Sequence, residues 1–161
     1  MSQVNSGRAL PAILLGMRDA RHTPSDRAEI GLPSKRSLIY VVDDDYDVLR
    51  SLRFLLETEG FEVRTFRSGS ALLGSSARDR ADCLIVDYKM AGIDGLELAG
   101  RLRSLDISTP IVMITGYPDE NIATKASSVG VRQVLLKPNL VESLVEGVRN
   151  AINPGRASEQ P

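Results

Sequence analysis

Five polar positions in this chain could do chemistry together: Asp43, Asp44, Asp87, Thr115 and Lys137. Each ends or directly follows an apolar run: Leu38 to Val42, Cys83 to Val86, Ile111 to Ile114, and Val131 to Leu136. A uniform apolar run between turn signals suits a strand buried on both faces of a parallel sheet. The polar residue that follows then emerges at the carboxyl edge, where open α/β sheets hold their ligands. Three carboxylates gathered there repel one another, each pair at ~4 Å costing ~4 kcal/mol at an effective dielectric of about 20. A divalent cation removes that cost, and an all-oxygen donor set suits Mg²⁺. The lysine adds a point charge and the threonine a hydroxyl, both of which suit phosphoryl oxygens. The set reads as a site for metal plus phosphate.

The elements that must position these residues follow a regular alternation from Leu38 onward. Val48, Leu49, Leu52, Leu55 and Leu56 repeat at helical spacing after the first strand, and Gly60 stops them. Phe61 to Phe66 alternates as a second strand, and Ser68 to Ser76 makes a short helix. After the strand ending at Asp87, Leu98, Ala99, Leu102 and Leu105 give a helix one apolar face, with Asp94 as its cap. Ile122, Ala123, Ala126 and Val129 mark a fourth helix closed by Gly130. Leu140, Val141, Leu144, Val145, Val148 and Ile152 line a last helix, where Asn139 and Glu142 imitate a capping box. Five strand-helix units predict a flavodoxin-like, doubly wound, five-stranded parallel α/β sheet, order 2-1-3-4-5, with helices on both faces. In that order the strands carrying Asp44 and Asp87 are neighbours. Asp45 reads as the N-cap of the first helix and not as a ligand, whereas Asp43 suits either role.

Composition narrows the function classes. The chain has 161 residues, 42% hydrophobic and 25% charged, which fits one domain with a proper core. A net charge of -1 gives no global field toward nucleic acid or an anionic membrane. Cys83 is the only cysteine, reads as a small buried hydrophobe, and suits a reducing, cytoplasmic setting. Residues 1–36 lack the alternation and read as an extension, either flexible or a short docking helix with Leu10, Ile13, Leu14 and Met17 on one face. Their apolar stretch, Ala9 to Met17, is too short to span a bilayer and does not look like a signal peptide. His22, the only histidine, sits in a polar setting and reads as a solvated loop residue. The domain is expected at 37–153, with 154–161 as a tail.

Asp43-Asp44, Asp87 followed by Met90 and Gly95, Thr115-Gly116 and Lys137-Pro138 resemble the receiver domain of two-component response regulators, over about residues 38–152. The resemblance implies that Asp87 is the phosphoacceptor, taking phosphoryl from a sensor histidine kinase or a histidine phosphotransfer protein. It implies that Asp43, Asp44, Asp87 and the Lys89 backbone carbonyl serve Mg²⁺. Thr115 then corresponds to the switch hydroxyl, Lys137 to the phosphate-pairing lysine, and the Lys137-Pro138 bond to a cis peptide. Three residues depart from the family pattern: Ala91 where proline is usual, Val134 where an aromatic switch residue is usual, and Asn139 in place of an aromatic.

The expected protein is a stand-alone phosphorelay receiver that signals by contact with a downstream protein and is not a turnover enzyme. It is expected to be cytoplasmic, with no membrane span and no direct nucleic-acid contact, and a homodimer is left open. One rival is an aspartate-nucleophile phosphohydrolase, which would normally place an acid two residues after its nucleophile; Lys89 stands there. The other is a receiver that docks without ever carrying phosphate.

Overall fold

The structure, a computed structural model, describes residues 32–117, 119–137 and 140–156. The expectations for Ala9 to Met17, His22, the cis bond to Pro138, the Asn139 cap and the end of the tail lie outside these residues. Five parallel strands, β1 (Leu38–Val42), β2 (Glu62–Phe66), β3 (Cys83–Asp87), β4 (Ile111–Thr115) and β5 (Gln133–Leu136), form one sheet in the order β2-β1-β3-β4-β5. Between and after them come α1 (Tyr46–Thr58), α2 (Gly69–Leu73), α3 (Gly95–Ser104), α4 (Ile122–Ser128) and α5 (Leu140–Ile152). A short 3₁₀ turn, Pro154–Arg156, follows α5.

The two faces of the sheet bury different helices. Ile39, Val41, Cys83, Ile85, Val112 and Ile114 point to one side, against Leu49, Leu52 and Leu56 of α1 and Leu144, Val148 and Ala151 of α5. Tyr40, Val42, Leu84, Val86, Ile111 and Met113 point to the other, against α2, α3 and α4 through Leu72, Leu98, Leu102, Ile122 and Ala126. Burial of each such leucine or isoleucine contributes about 1.5–3 kcal/mol, so the central strands are held from both sides. Tyr40 is the largest fully buried side chain; its ring tilts against Phe66 at 5.1 Å, and its hydroxyl donates to the Ala77 carbonyl at 2.8 Å. Cys83 is fully buried in β3, and burial pushes its thiol up to about 12.

Strands β2 and β5 begin later than the sequence pattern suggests, for one physical reason. Gly60 (φ 93°) and Gly130 (φ 75°) turn the chain out of α1 and α4 in the left-handed region. The next amide, of Phe61 or Val131, then returns to a helix carbonyl, Leu56 or Ala126, and so is spent on closing the helix. Leu136 (54% exposed), at the end of edge strand β5, is a surface residue, and so are three expected helix-face positions: Leu105 (49%), which caps α3, Val141 (60%) in the first turn of α5, and Ala123. These three sit at helix ends or in a short helix, where the apolar stripe has run past the edge of the sheet. Asp45 and Asp94 are the N-caps of α1 and α3, as their positions suggest.

Candidate functional site

Register brings the chemistry together. Val42 pairs with Val86 across β1 and β3, Asp87 with Ile114 across β3 and β4, and Thr115 with Leu136 across β4 and β5. The next residue along β1 and β5 is therefore Asp43 and Lys137, and both arrive at the edge beside Asp87. The edge is pinned by backbone bonds from Asp43 N to Phe66 O (3.1 Å), Tyr88 N to Ile114 O (2.8 Å) and Lys137 N to Thr115 O (2.9 Å). An open cleft there is lined by Asp43, Asp44, Asp45, Asp87, Lys89, Gly116, Tyr117 and Lys137.

Within it Lys137 Nζ lies 3.3 Å from Asp87 Oδ1 and 3.5 Å from Asp43 Oδ2. Asp43 Oδ1 accepts the Asp45 amide at 2.9 Å, and Asp44 Oδ2 accepts the Ala91 amide at 3.0 Å. Asp45 Oδ1 accepts from the amides of Asp47 and Val48, so this carboxylate is spent on the helix cap. Asp87 and Asp43 are buried (7% and 2% exposed) while Asp44 is exposed. Burial, then the neighbouring charge of Asp43, pushes Asp87 up to about 6, against the opposing pull of Lys137. Burial also raises Asp43. For Lys137, burial works against the charge, but Asp87 and Asp43 outweigh it and hold the ammonium above its usual value.

One oxygen from each of Asp43, Asp44 and Asp87 lies within 4.8 Å of the others. That span, the hard all-oxygen donors and the raised Asp87 fit a small divalent cation of the Mg²⁺ kind, whose charge would relieve the repulsion. Thr115 stands fully buried at the same edge, but its hydroxyl is engaged: it donates to the Tyr117 carbonyl and accepts the Tyr117 amide, both at 3.1 Å. Lys89 lines the cleft with its ammonium 4.9 Å from the Tyr88 ring centroid and 6.0 Å from that of Tyr117.

The comparisons agree with this geometry. The sequence model of the response regulator receiver domain matches residues 39–149. The chain belongs to the response regulator receiver family. The receiver domain is 33% identical to the response regulator protein TodT of Pseudomonas putida over 132 residues, covering 81% of this chain and 58% of TodT. It is 33% identical over 124 residues to the transcriptional regulatory protein FixJ of Bradyrhizobium diazoefficiens, covering 75% of this chain and 60% of FixJ. It therefore spans less than two thirds of either relative. Among solved structures, a FixJ-N crystal structure superposes with TM-score 0.68 at 30% identity, over 73% of this chain and 94% of that one. The Vibrio cholerae chemotaxis protein CheY4 gives TM-score 0.68 at 25% identity, over 73% and 99%. Among the described residues of the receiver domain, no helix is long and apolar enough to cross a membrane.

Two supports of the receiver site go beyond what residue types and spacing announce. The first is Gly95, which the sequence pattern presents only as a motif residue. A Cβ at Gly95 would stand 2.6 Å from the Asp87 carbonyl oxygen and 3.1 Å from Tyr88 Cα, because the start of α3 rests on the end of β3. Gly95→Ala is expected to cost about 1–3 kcal/mol, read as a lower urea midpoint, because backbone and not a pliable side chain must yield. An unchanged midpoint would show that the contact relaxes freely. The second is the Ala91 amide on Asp44, which no side-chain pattern can announce, since the donor is backbone.

Proposed function

We propose that this receiver domain accepts a phosphoryl group on Asp87 from a phosphohistidine of a sensor kinase or phosphotransfer protein, and reports it to a downstream protein in the cytoplasm. The observation that carries this reading is a buried, destabilised Asp87 carboxylate held 3.3 Å from the Lys137 ammonium. A carboxylate oxygen of Asp87 forms a bond to phosphorus as the phosphorus–nitrogen bond of phosphohistidine breaks. The imidazole leaves with that electron pair, and an acyl phosphate remains. Lys137 pairs with the phosphoryl oxygens and neutralises charge that grows on them. Asp43, Asp44, Asp87 and the Lys89 carbonyl would hold Mg²⁺. When bound, that ion supplies positive charge to the phosphoryl oxygens and removes the repulsion among the carboxylates. No carboxylic acid stands two residues after Asp87, where Lys89 lies, and that is the position from which a phosphohydrolase would handle the leaving group's proton. Phosphotransfer from candidate histidine kinases, followed on radiolabelled protein, tests the reading; an unlabelled protein with every kinase would sink it.

The Thr115 hydroxyl links the site to the loop beyond β4. To donate to a phosphoryl group on Asp87 it must release the Tyr117 carbonyl, to which its one proton now goes. A change of state needs such a differential interaction. Thr115→Ala is expected to keep phosphorylation but to shrink the amide shift changes at Tyr117 and Asp119 to Asn121. Full-sized shifts in the variant would remove the hydroxyl from the switch.

A further inference from the structure

Asp44 is the exposed member of the carboxylate set, and its position is not explained by the lysine that holds the other two. Lys137 pairs with Asp43 and Asp87, whereas Asp44 Oδ2 accepts the backbone N–H of Ala91, 47 positions along the chain, at 3.0 Å. An exposed aspartate in a turn is otherwise free to swing away from two like charges, and the repulsion among the three favours that escape. With this bond in place, one oxygen of each carboxylate still lies within 4.8 Å of the others. A small oxygen-binding divalent cation would draw these three oxygens together with little movement.

We propose that the Ala91 amide is a positioning element of the divalent-cation site, holding Asp44 in the carboxylate set before the cation arrives. This rests on the cation reading of the cleft. A single hydrogen bond to Oδ2 leaves Oδ1 and a second lone pair on Oδ2 for a metal, so the bond and coordination coexist. The amide is itself fixed from both sides. Met90 is buried against the core beneath β3, and Gly92, at φ 77°, turns the chain directly after Ala91. Ordering a ligand in advance removes part of the entropy cost of binding. The loop from β3 to α3 thereby becomes a member of the site through a donor that proline, which lacks an N–H, could not supply.

The test compares unmodified protein, Ala91→Pro and Ala91→Ser by calorimetric titration with Mg²⁺, alongside urea unfolding without metal. The serine variant keeps the N–H and the proline variant deletes it. The expected result is a Kd about three- to tenfold weaker for Ala91→Pro, in the range of one hydrogen bond to a charged group, and near the unmodified value for Ala91→Ser. A merely structural loop would move the urea midpoint and leave Kd alone. Equal affinity in the proline variant, or equal weakening in both variants, overturns the proposal. Should the proline variant not fold, amide exchange in the unmodified protein decides. Ala91 is exposed, so slow exchange of its amide with and without Mg²⁺ is expected only from the bond to Asp44, and free exchange overturns the proposal. An unmodified protein that takes up no Mg²⁺ fails the cation reading itself, and this proposal with it.

Discussion

With a small phosphodonor and Mg²⁺, the unmodified chain is expected to gain one phosphoryl group in intact mass, and the Asp87→Asn variant none. Four carboxylates line the cleft; Asp45 is spent on the cap of α1, and hydrogen bonds separate the other three. Asp43 and Asp44 each accept a backbone amide, from Asp45 and Ala91, which draws electron density from the oxygen and fixes its direction. Among the described residues Asp87 accepts no backbone amide at its side chain; its neighbours are the Lys137 ammonium and the charges of Asp43 and Asp44. Of the three it is therefore the carboxylate that no backbone amide holds, and a cation stands beside it to receive phosphoryl oxygens. Asparagine keeps the shape but forfeits the charge and the second equivalent oxygen, so the loss should be complete, not graded. Chelation should abolish the modification of unmodified protein as well. A mass gain that survives Asp87→Asn would move the acceptor elsewhere, and one indifferent to chelator would remove the metal from the reaction.

The second large effect concerns stability without metal. Asp87 stands at about 6 in the folded chain against 3.8 for the free side chain, so the folded state binds its proton more tightly than the unfolded state does. Its ionisation costs the fold stability in full above about pH 6, and the cost is relieved as pH falls through 6 toward 4. A shift of about two units, already net of the pull of Lys137, corresponds to roughly 3 kcal/mol. In chelator at neutral pH, Asp87→Asn is expected to be about 2 kcal/mol more stable, a rise in Tm of several degrees for a domain of this size. The difference from unmodified protein should shrink as pH is lowered to about 4, since both chains are then neutral at this position. Mg²⁺ at about a hundred times its Kd should add about 2.7 kcal/mol to the unmodified chain, and less to the variant. Thermal melts of both proteins across pH, with chelator and with Mg²⁺, check all of this. Superimposed melts of the unmodified chain under the two conditions would contradict the site.

The sheet was legible in the sequence because β1, β3 and β4 are apolar without alternation and end in or lead directly to a polar residue, while β2 alternates. Leu38 to Val42 and Cys83 to Asp87 declared both their burial and their functional edge in five residues. What was not legible lies in backbone atoms. Phe61 and Val131 look like strand residues, and only the return of their amides to helix carbonyls removes them from the ladder. The bond from Ala91 to Asp44 has no side-chain signature at its donor end. Thr115 could be placed at the edge, but the present engagement of its hydroxyl with Tyr117 depends on the course of a loop that residue types do not dictate. Periodicity assigns Leu105 and Val141 to the core, because it counts turns of helix but does not know where the sheet beneath them stops.

Cys83 turns the middle of the sheet into a clock. It is the only thiol in the chain, lies at full burial in the strand between β1 and β4, and holds its proton up to about 12. An alkylating reagent needs the thiolate, so the native sheet should be silent toward it and labelling should occur only in molecules whose central strand has opened. The labelling rate in native buffer then counts those openings directly. Measured with and without a phosphoryl group on Asp87, four residues along the same strand, it would report how far occupation of the edge stiffens the centre of the sheet.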